Sequence, residues 1–395
     1  MAATDGSTKG SLPARGTRHG SWPIALAWAG WCWVLTATAT TLPEDRADAL
    51  YHSYEGGGLQ VRGPSLLVRK SVGRQASVWA NYYVDMVSSA SVDVMATASP
   101  YTEKRTEWSA GIDYLHDKTT FGLAYTSSEE PDYSAKNVHF GISQDFFGDL
   151  TTIGISIGRG WNVVRKHNQA AFREDMDSRE YRLDVSQVVT RSLVAGLSYE
   201  TISDQGFLNN PYRSVRFRDA TTPRGFSYQP ELYPRTHTSN AVALRAKYFL
   251  PYRAALGAEY RWYHDTYGIR SNDVGLDYTH PLGEHWTFDG RLRYYRQSAA
   301  DFYGDLFAVR NAQNFLARDK ELSSFNSQSI GLGVSYDMGR ILTPIFSRGT
   351  VSVQGDYMRY RYDDFRDVTK GGAPGLEPLY EFDAFVIRAY LSVYL

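Results

Sequence analysis

From about residue 40 to the C-terminus, apolar and polar residues alternate along most of the chain. That is the period of a β-strand, whose successive side chains leave on opposite faces. Between His285 and Tyr295, Trp286, Phe288, Leu292 and Tyr294 fall on one face, and Thr287, Asp289, Arg291, Arg293 and Tyr295 on the other. The same alternation sets Trp108, Ala110, Ile112 and Tyr114 against Glu107, Ser109 and Asp113. It sets Leu256, Ala258, Tyr260 and Trp262 against Glu259 and Arg261. It runs to the last residue, with Phe385, Ile387, Ala389, Leu391, Val393 and Leu395 opposite Arg388, Tyr390, Ser392 and Tyr394.

The connections predict the architecture. Short ones fall near His116–Lys118, Phe147–Asp149, Arg191, Pro251–Tyr252 and Pro281–Glu284, and long ones at roughly 162–178, 203–235, 298–325 and 361–379. The two kinds take turns, as short periplasmic turns and long external loops do in outer-membrane barrels. Read away from a short turn, the apolar faces end in Tyr125, Trp161, Tyr199, Trp262, Tyr294 or Tyr357. Read toward one, they end in Tyr114, Phe146, Tyr248, Tyr278 and Tyr336. Rings at both edges of an apolar band are the two girdles of a membrane barrel. From Ser65 onward about fifteen strands are clear. Even numbers rule single-chain bacterial barrels, so a further strand is expected around Asp48 to Glu55, before Gly56-Gly57-Gly58. The expectation is an all-β, antiparallel up-and-down transmembrane barrel of sixteen strands, with fourteen or eighteen as alternatives.

Composition agrees. Aromatics make up 14% of the 395 residues, with 29 Tyr, suiting amphipathic rings at a membrane–water boundary. The formal net charge of −1 gives no basic footprint for nucleic acid. No run of about eighteen apolar residues lies beyond the N-terminus, which excludes a helical membrane protein. Lys9, Arg15 and Arg18 precede an uncharged stretch from Trp22 to Ala39, and Ala37-Thr38-Ala39 fits a small-x-small cleavage site. Residues 1–39 therefore read as a signal peptide and 40–395 as the barrel of a Gram-negative bacterium. Cleavage removes Cys32, the single cysteine, and bulky Trp31 before it argues against lipidation. A cysteine-free mature chain offers no cysteine metal site or covalent haem.

Several segments carry a resemblance: YHSYEGGG (51–58), NYYVDMVSSASVDV (81–94), TASPYTEKR (97–105), GISQDFFGDLTT (141–152) and GFLNNPYRSVR (206–216). Together they resemble an uncharacterised bacterial outer-membrane family, domain of unknown function 3570. The resemblance implies a barrel and supplies no reaction, ligand or catalytic residue. The C-terminal strand resembles the signal read by the barrel assembly machinery, with Leu395 standing where Phe is common.

Sixteen strands enclose more space than their own side chains fill. The inward set is polar and of mixed sign, and two readings stand. Its charges pair across neighbouring strands, or Arg245, Lys247, Arg261, Arg291 and Arg293 form a basic wall facing Asp85, Glu107 and Asp113. A transverse field would then select by charge. Glu259 and Asp289 also face inward. In the 206–235 loop, Asn209, Asn210, Arg213 and Arg216, with five Tyr or Phe rings after Phe207, suit a constriction, a plug or a surface contact. Lipopolysaccharide phosphates are the bland partner. No nucleophile–base–orienter set converges: His52 and Ser53 point to opposite faces, and His139 and the His264–Asp265 pair read as isolated rim residues. The chain is therefore expected to be no enzyme, with no metal and no cofactor. It reads as a porin-like channel for small hydrophilic solutes, or as a closed barrel acting as scaffold or receptor for a periplasmic or surface partner.

Overall fold

The computed structural model describes residues 41–89, 101–166, 169, 171–340 and 346–395. The proposed signal peptide and cleavage site lie outside the described residues. Sixteen antiparallel strands close into one barrel, in the ring order β1-β18-β17-β16-β15-β14-β13-β12-β9-β8-β7-β6-β5-β4-β3-β2. The wall comprises β1 (Arg46–Gly56), β2 (Leu59–Val72), β3 (Ala76–Ser89), β4 (Tyr101–His116), β5 (Thr119–Glu129), β6 (Tyr133–Phe146), β7 (Thr151–Arg165) and β8 (Arg173–Thr190). It continues through β9 (Leu193–Gly206), β12 (Thr236–Phe249), β13 (Ala255–Asp265), β14 (Arg270–Leu282), β15 (Trp286–Gln297), β16 (Phe325–Arg340), β17 (Arg348–Arg366) and β18 (Leu379–Tyr394). A separate two-stranded hairpin, β10 (Ser214–Arg218) and β11 (Phe226–Pro230), sits in the 207–235 connection. No α-helix occurs among the described residues.

The ring closes because the expected early strand exists. β1 pairs with β2 along one edge and with β18 along the other, from Arg46↔Tyr394 to Gly56↔Ala384. Closure leaves no wall strand with an unpaired edge. The β1–β2 hairpin turns on Gly57 and Gly58, at φ 58° and 76°. Two successive left-handed residues make the turn whose twist matches the strands, and glycine adopts it without a Cβ penalty.

The alternation falls as read. Leu332, Ile387, Phe385, Ile155 and Leu244 are exposed on the outer surface. Trp161, Tyr199, Trp262 and Tyr294 stand outward toward one end, and Tyr114, Phe146, Tyr248, Tyr278 and Tyr336 toward the other. The inner face carries the polar partners. The alternation of connection lengths is less strict than expected. All the long connections emerge at one end, here the loop end, but residues 57–58, 130–132 and 266–269 join strands there in short turns. The 162–178 and 361–379 stretches are also partly strand, since β7 and β8 leave only 166–172 between them and β17 runs to Arg366. A membrane span takes about ten tilted residues. Strands of 15, 18 and 19 residues therefore stand well beyond the girdle. There the outward residues turn polar, as Asp175, Asp177, Arg359 and Arg361, while inward Met176, Tyr360 and Tyr362 are buried, so the apolar-out, polar-in alternation by which a strand is read is lost.

The interior divides unevenly. Along β12–β16, Lys247, Glu259, Asp277, Asp289 and Arg291 remain partly exposed to the lumen. Across from them, Ser77, Asn81 and Ser109 on β3 and β4 are buried, and Trp79 lies against the backbone of Gly111. At the loop end of β16–β18, β1, β2 and β3 the inner face is apolar. Phe325, Met358, Tyr360, Tyr362, Phe365, Tyr380 and Val386 join Tyr54, Val61 and Val87 in one buried cluster. The 29-residue span 207–235 and the span 298–324 fold together above it, as isolated bridges Phe217↔Phe307 and Leu232↔Leu316 show.

Single cysteines along β15 test the phase. Substitution at Leu292 and Tyr294 is expected to give spin labels that lipid-soluble quenchers reach. At Arg291 and Arg293 the labels should respond to water-soluble quenchers. Uniform accessibility along the four positions would contradict the inside–outside assignment.

Candidate functional site

Three connections, 207–235, 298–324 and 367–378, assemble a cap at the loop end. Gly206 releases the chain from β9. Its φ is 124°, and a Cβ there would stand 2.2 Å from the carbonyl oxygen of Asp175. Only glycine lets the strand bend there without collision. The four loop residues singled out from sequence all lie in the cap. Asn209 Nδ2 donates to the Glu231 carbonyl at 2.7 Å, and its Oδ1 accepts from the Tyr233 amide at 3.1 Å, pinning the loop's two ends together. Asn210 is buried and accepts from the Tyr212 amide at 2.8 Å. Arg213 pairs with Asp319 of the second loop.

Arg216 is the residue on which the three loops meet. Its side chain is fully buried; Nη1 donates to Glu377 Oε1 at 2.5 Å and Nη2 to Asp305 Oδ2 at 2.5 Å. Glu377 belongs to the third loop and Asp305 to the second. Arg318 holds the other oxygen of Asp305 at 3.0 Å, donates to the Arg366 carbonyl at 2.9 Å and lies 4.5 Å over the Phe365 ring. Burial works against the charge on Glu377, but the bonds from Arg216 outweigh it and hold the carboxyl below its ordinary range.

The charged residues read as lumen walls lie on β12, β13 and β15 and on β3 and β4, and they are neutralised locally. Arg245 Nε donates to Glu259 at 2.5 Å, Arg261 reaches Glu200 at 3.4 Å, and Arg291 reaches Asp356 at 3.1 Å. Arg293 pairs with Asp273, and Lys247 lies 4.0 Å from Asp277. Asp289 accepts from the Thr279 hydroxyl at 2.7 Å. Opposite them in the ring, Arg69 takes Asp113 at 2.5 Å, His52 takes Asp85 at 2.8 Å, and Arg105 binds Glu107. Asp85 and Glu107 are buried outright. Neither wall carries a uniform sign, so the pairing reading describes the lumen and the transverse field does not. Ion pairs within a strand, between adjacent strands and across one intervening strand keep the interior polar without a single-sign wall.

Between the cap's underside and the lumen lies a cavity of about 250 Å³. The barrel contributes Arg261, Tyr263 and Tyr295, and the cap contributes Asn210, Tyr233 and Asp319. His237 closes one corner. Its Nε2 lies 3.0 Å from Asp265 and its Nδ1 3.6 Å from Asp204, with the Tyr267 ring tilted against it at 4.2 Å between centroids. His237 stands five residues beyond Val242, which pairs with the girdle residue Tyr199. Burial would depress its pKa, but the two carboxylates overcome that and raise it to about 9. In the cap itself, burial and then the nearby Asp319 charge push Glu231 up to about 7, against the pull of Arg213.

Two sequence expectations change. Asp265 is no isolated rim residue. It is buried, accepts the Tyr267 and Ile269 amides at 3.0 and 2.9 Å, and holds His237. His139 lies within β6 near Gly158, not at the rim. His237 and Glu377 escaped notice because their partners come from other strands and loops, Glu377 being 161 positions from Arg216. Among the described residues no cluster of three or more His, Cys, Asp or Glu is placed to hold a metal.

The profile of one protein family, described as Protein of unknown function (DUF3570), matches residues 61–357. The chain belongs to this family. Four of the five resembling segments lie within the matched range, and 51–58 precedes it. No curated protein sequence matches the chain. Among solved structures, a bacterial polysaccharide outer membrane secretin aligns over 90% of this chain and 100% of its own, at 8% identity and TM-score 0.50. The CymD monoaromatic hydrocarbon channel aligns over 90% and 89% at 9% identity and TM-score 0.42. A loop-deletion form of OmpT, an outer membrane protein of Vibrio cholerae, aligns over 89% and 99% at 9% identity and TM-score 0.42. At 8% identity the likeness to the secretin is one of fold: this DUF3570 member is a closed barrel of the outer-membrane type.

Replacing Arg216 by Ala strands the buried Glu377 carboxylate and leaves Asp305 to Arg318 alone. Removing one partner of a buried pair costs roughly 3–5 kcal/mol, here drawn from the cap and not the wall. Amide hydrogen exchange in 207–235 and 298–324 is expected to accelerate, with β6 and β7 amides unchanged. Arg216→Lys should not restore protection, because an ammonium cannot span both carboxylates as the guanidinium fork does.

Cap protection should also depend on pH. Both His237 and Glu231 have raised pKa values, so the stability each adds is full below its ordinary value and is lost as pH rises through about 9 and about 7 respectively. Hydrogen exchange in the cap, corrected for the intrinsic rate, is therefore expected to quicken as pH rises from 5 to 9. Protection that grows with pH would contradict the assignment.

Proposed function

We propose that this DUF3570 member is an outer-membrane channel for small hydrophilic solutes, gated at its outer mouth by the cap. The observation that carries the reading is the partly exposed polar wall of Lys247, Glu259, Asp277, Asp289 and Arg291 inside a closed sixteen-strand barrel. A barrel of this strand number is wide enough for an aqueous lumen. An apolar outer band between two girdles suits a bilayer, where every backbone group must find a partner within the wall. The turn end then faces the periplasm and the cap the exterior, in contact with lipopolysaccharide. Strand β18 would be the element presented to the barrel assembly machinery. Because the lumen charges are paired, the pore would pass solutes by size and polarity, with weak preference between anions and cations.

A second reading has its own observation. The buried Arg216–Asp305–Glu377 junction is a costly device for a loop that merely lines a pore. It suits a closed barrel whose cap acts as a receptor or scaffold for a surface or periplasmic partner.

Planar-bilayer recording of the purified protein separates the two. The channel reading expects brief, small steps from the native protein, longer and larger steps from Arg216→Ala, and a reversal potential close to zero in a salt gradient. Silence from both proteins, with barrel folding verified by circular dichroism, would overturn it in favour of the closed barrel.

A further inference from the structure

We infer that the cavity beneath the cap is a saccharide-binding site, sized for one or two sugar rings. The inference deepens the channel reading by naming its solute class, although binding at the site does not require conduction.

Four tyrosines border the cavity: Tyr233, Tyr263, Tyr267 and Tyr295. Their hydroxyls are already engaged. Tyr233 donates to Glu231 at 2.8 Å, Tyr263 to Asp265 at 2.8 Å and Tyr295 to the Gln297 side-chain oxygen at 2.7 Å. Tyr267 reaches the Pro234 carbonyl at 3.5 Å. These bonds set the rings at fixed angles, as does the edge-on packing of Tyr267 on Tyr233, with centroids 6.2 Å apart. What the rings offer a ligand is their faces. The C–H face of a pyranose packs on such a surface, and rings held in advance cost little entropy on binding.

The polar complement has the same character. Asp319 and Glu321 offer acceptor oxygens, and Arg261 and the Asn210 side-chain NH2 offer donors. A sugar hydroxyl donates and accepts at once, so a mixed set suits it. An ionic ligand would find much of the charge already offset. Arg261 is offset by Glu200, Asp265 by His237 and Asp319 by Arg213. A purely apolar ligand would leave these groups without solvent, a penalty that concave sites with a few placed polar groups avoid. Tyr263, Tyr295 and Arg261 belong to the barrel wall, so the cavity lies against the lumen side of the cap. A solute held here sits between the outer mouth and the polar wall.

Isothermal titration of the purified protein with glucose and cellobiose tests this, with arginine and succinate as ionic probes of similar size. Saturable binding of the sugars, and not of the ionic probes, is expected. Glu321→Gln preserves shape while removing the carboxylate, and Tyr263→Leu removes a ring face. Each should weaken sugar binding roughly tenfold or more. Tyr294→Leu, on the outer surface, should change nothing. If Tyr263→Leu fails to fold, Glu321→Gln alone carries the test. No saturable sugar binding by folded native protein, equal binding of the ionic probes, or full affinity in Glu321→Gln would overturn the site. A protein that conducts but binds no sugar refutes the site and leaves the channel reading standing. One that binds sugar but stays silent in the bilayer supports the site and refutes the channel.

Discussion

Closure of the wall by the β1–β18 ladder is the constraint from which the rest of the molecule follows. Eleven residue pairs run from Arg46↔Tyr394 to Gly56↔Ala384. They join the two ends of the described chain and remove the only open edges the sheet would have. Closure then forces a choice at every residue, since each side chain must face either out or in. The outward set is apolar with rings at its limits. The inward set must keep polar groups at peace in a confined space, and that requirement shapes the lumen.

The lumen meets it in two ways. Where water reaches, along β12–β16, charges are matched to the adjacent strand, as Arg245 with Glu259, or across one strand to the next, as Arg291 with Asp356. Where water is excluded, at the loop end of β16–β18 and β1–β3, the inner face turns apolar and aromatic. The cap grows out of this second region. Tyr303 of the 298–324 loop packs against both buried clusters, and its hydroxyl donates to the Asp364 carbonyl at 3.3 Å. The cap thus rests on a foundation laid by the barrel's own inner face, and Arg216 ties its three loops together above it.

Much of this was legible in the residue order, and what was not has a physical reason. The apolar phase of β4, β13, β15 and β18, the two ring girdles and the early strand near Asp48–Glu55 follow from period-2 alternation, a local signal that each strand carries by itself. The inward position of Arg245, Lys247, Arg261, Arg291 and Arg293 follows from the same phase. Their pairing does not, because Arg261–Glu200 and Arg291–Asp356 depend on lateral register and side-chain reach. The ends of β7, β8 and β17 read as loop from sequence because their outward residues, such as Asp175, Asp177, Arg359 and Arg361, are polar and the apolar-out phase is lost there. Inward Tyr360, Tyr362, Tyr380 and Phe382 break the polar-inside rule, since the loop end of the lumen is a packed core. Asn209, Asn210, Arg213 and Arg216 stood out as a basic, amide-rich loop. Only folding shows that one of them meets a carboxylate 161 positions away.

The division between a wet lumen and a capped loop end is tested most directly by sided modification of a cysteine on the inner wall. Gly275 of β14 is suited to it, since a Cβ there meets nothing closer than Glu259 Cβ at 3.9 Å. In Gly275→Cys, reconstituted in one orientation, a membrane-impermeant maleimide applied at the turn end is expected to react roughly tenfold faster than from the loop end. Equal rates from the two sides, or faster reaction from the loop end, would contradict the cap as the barrier and the turn end as the open mouth.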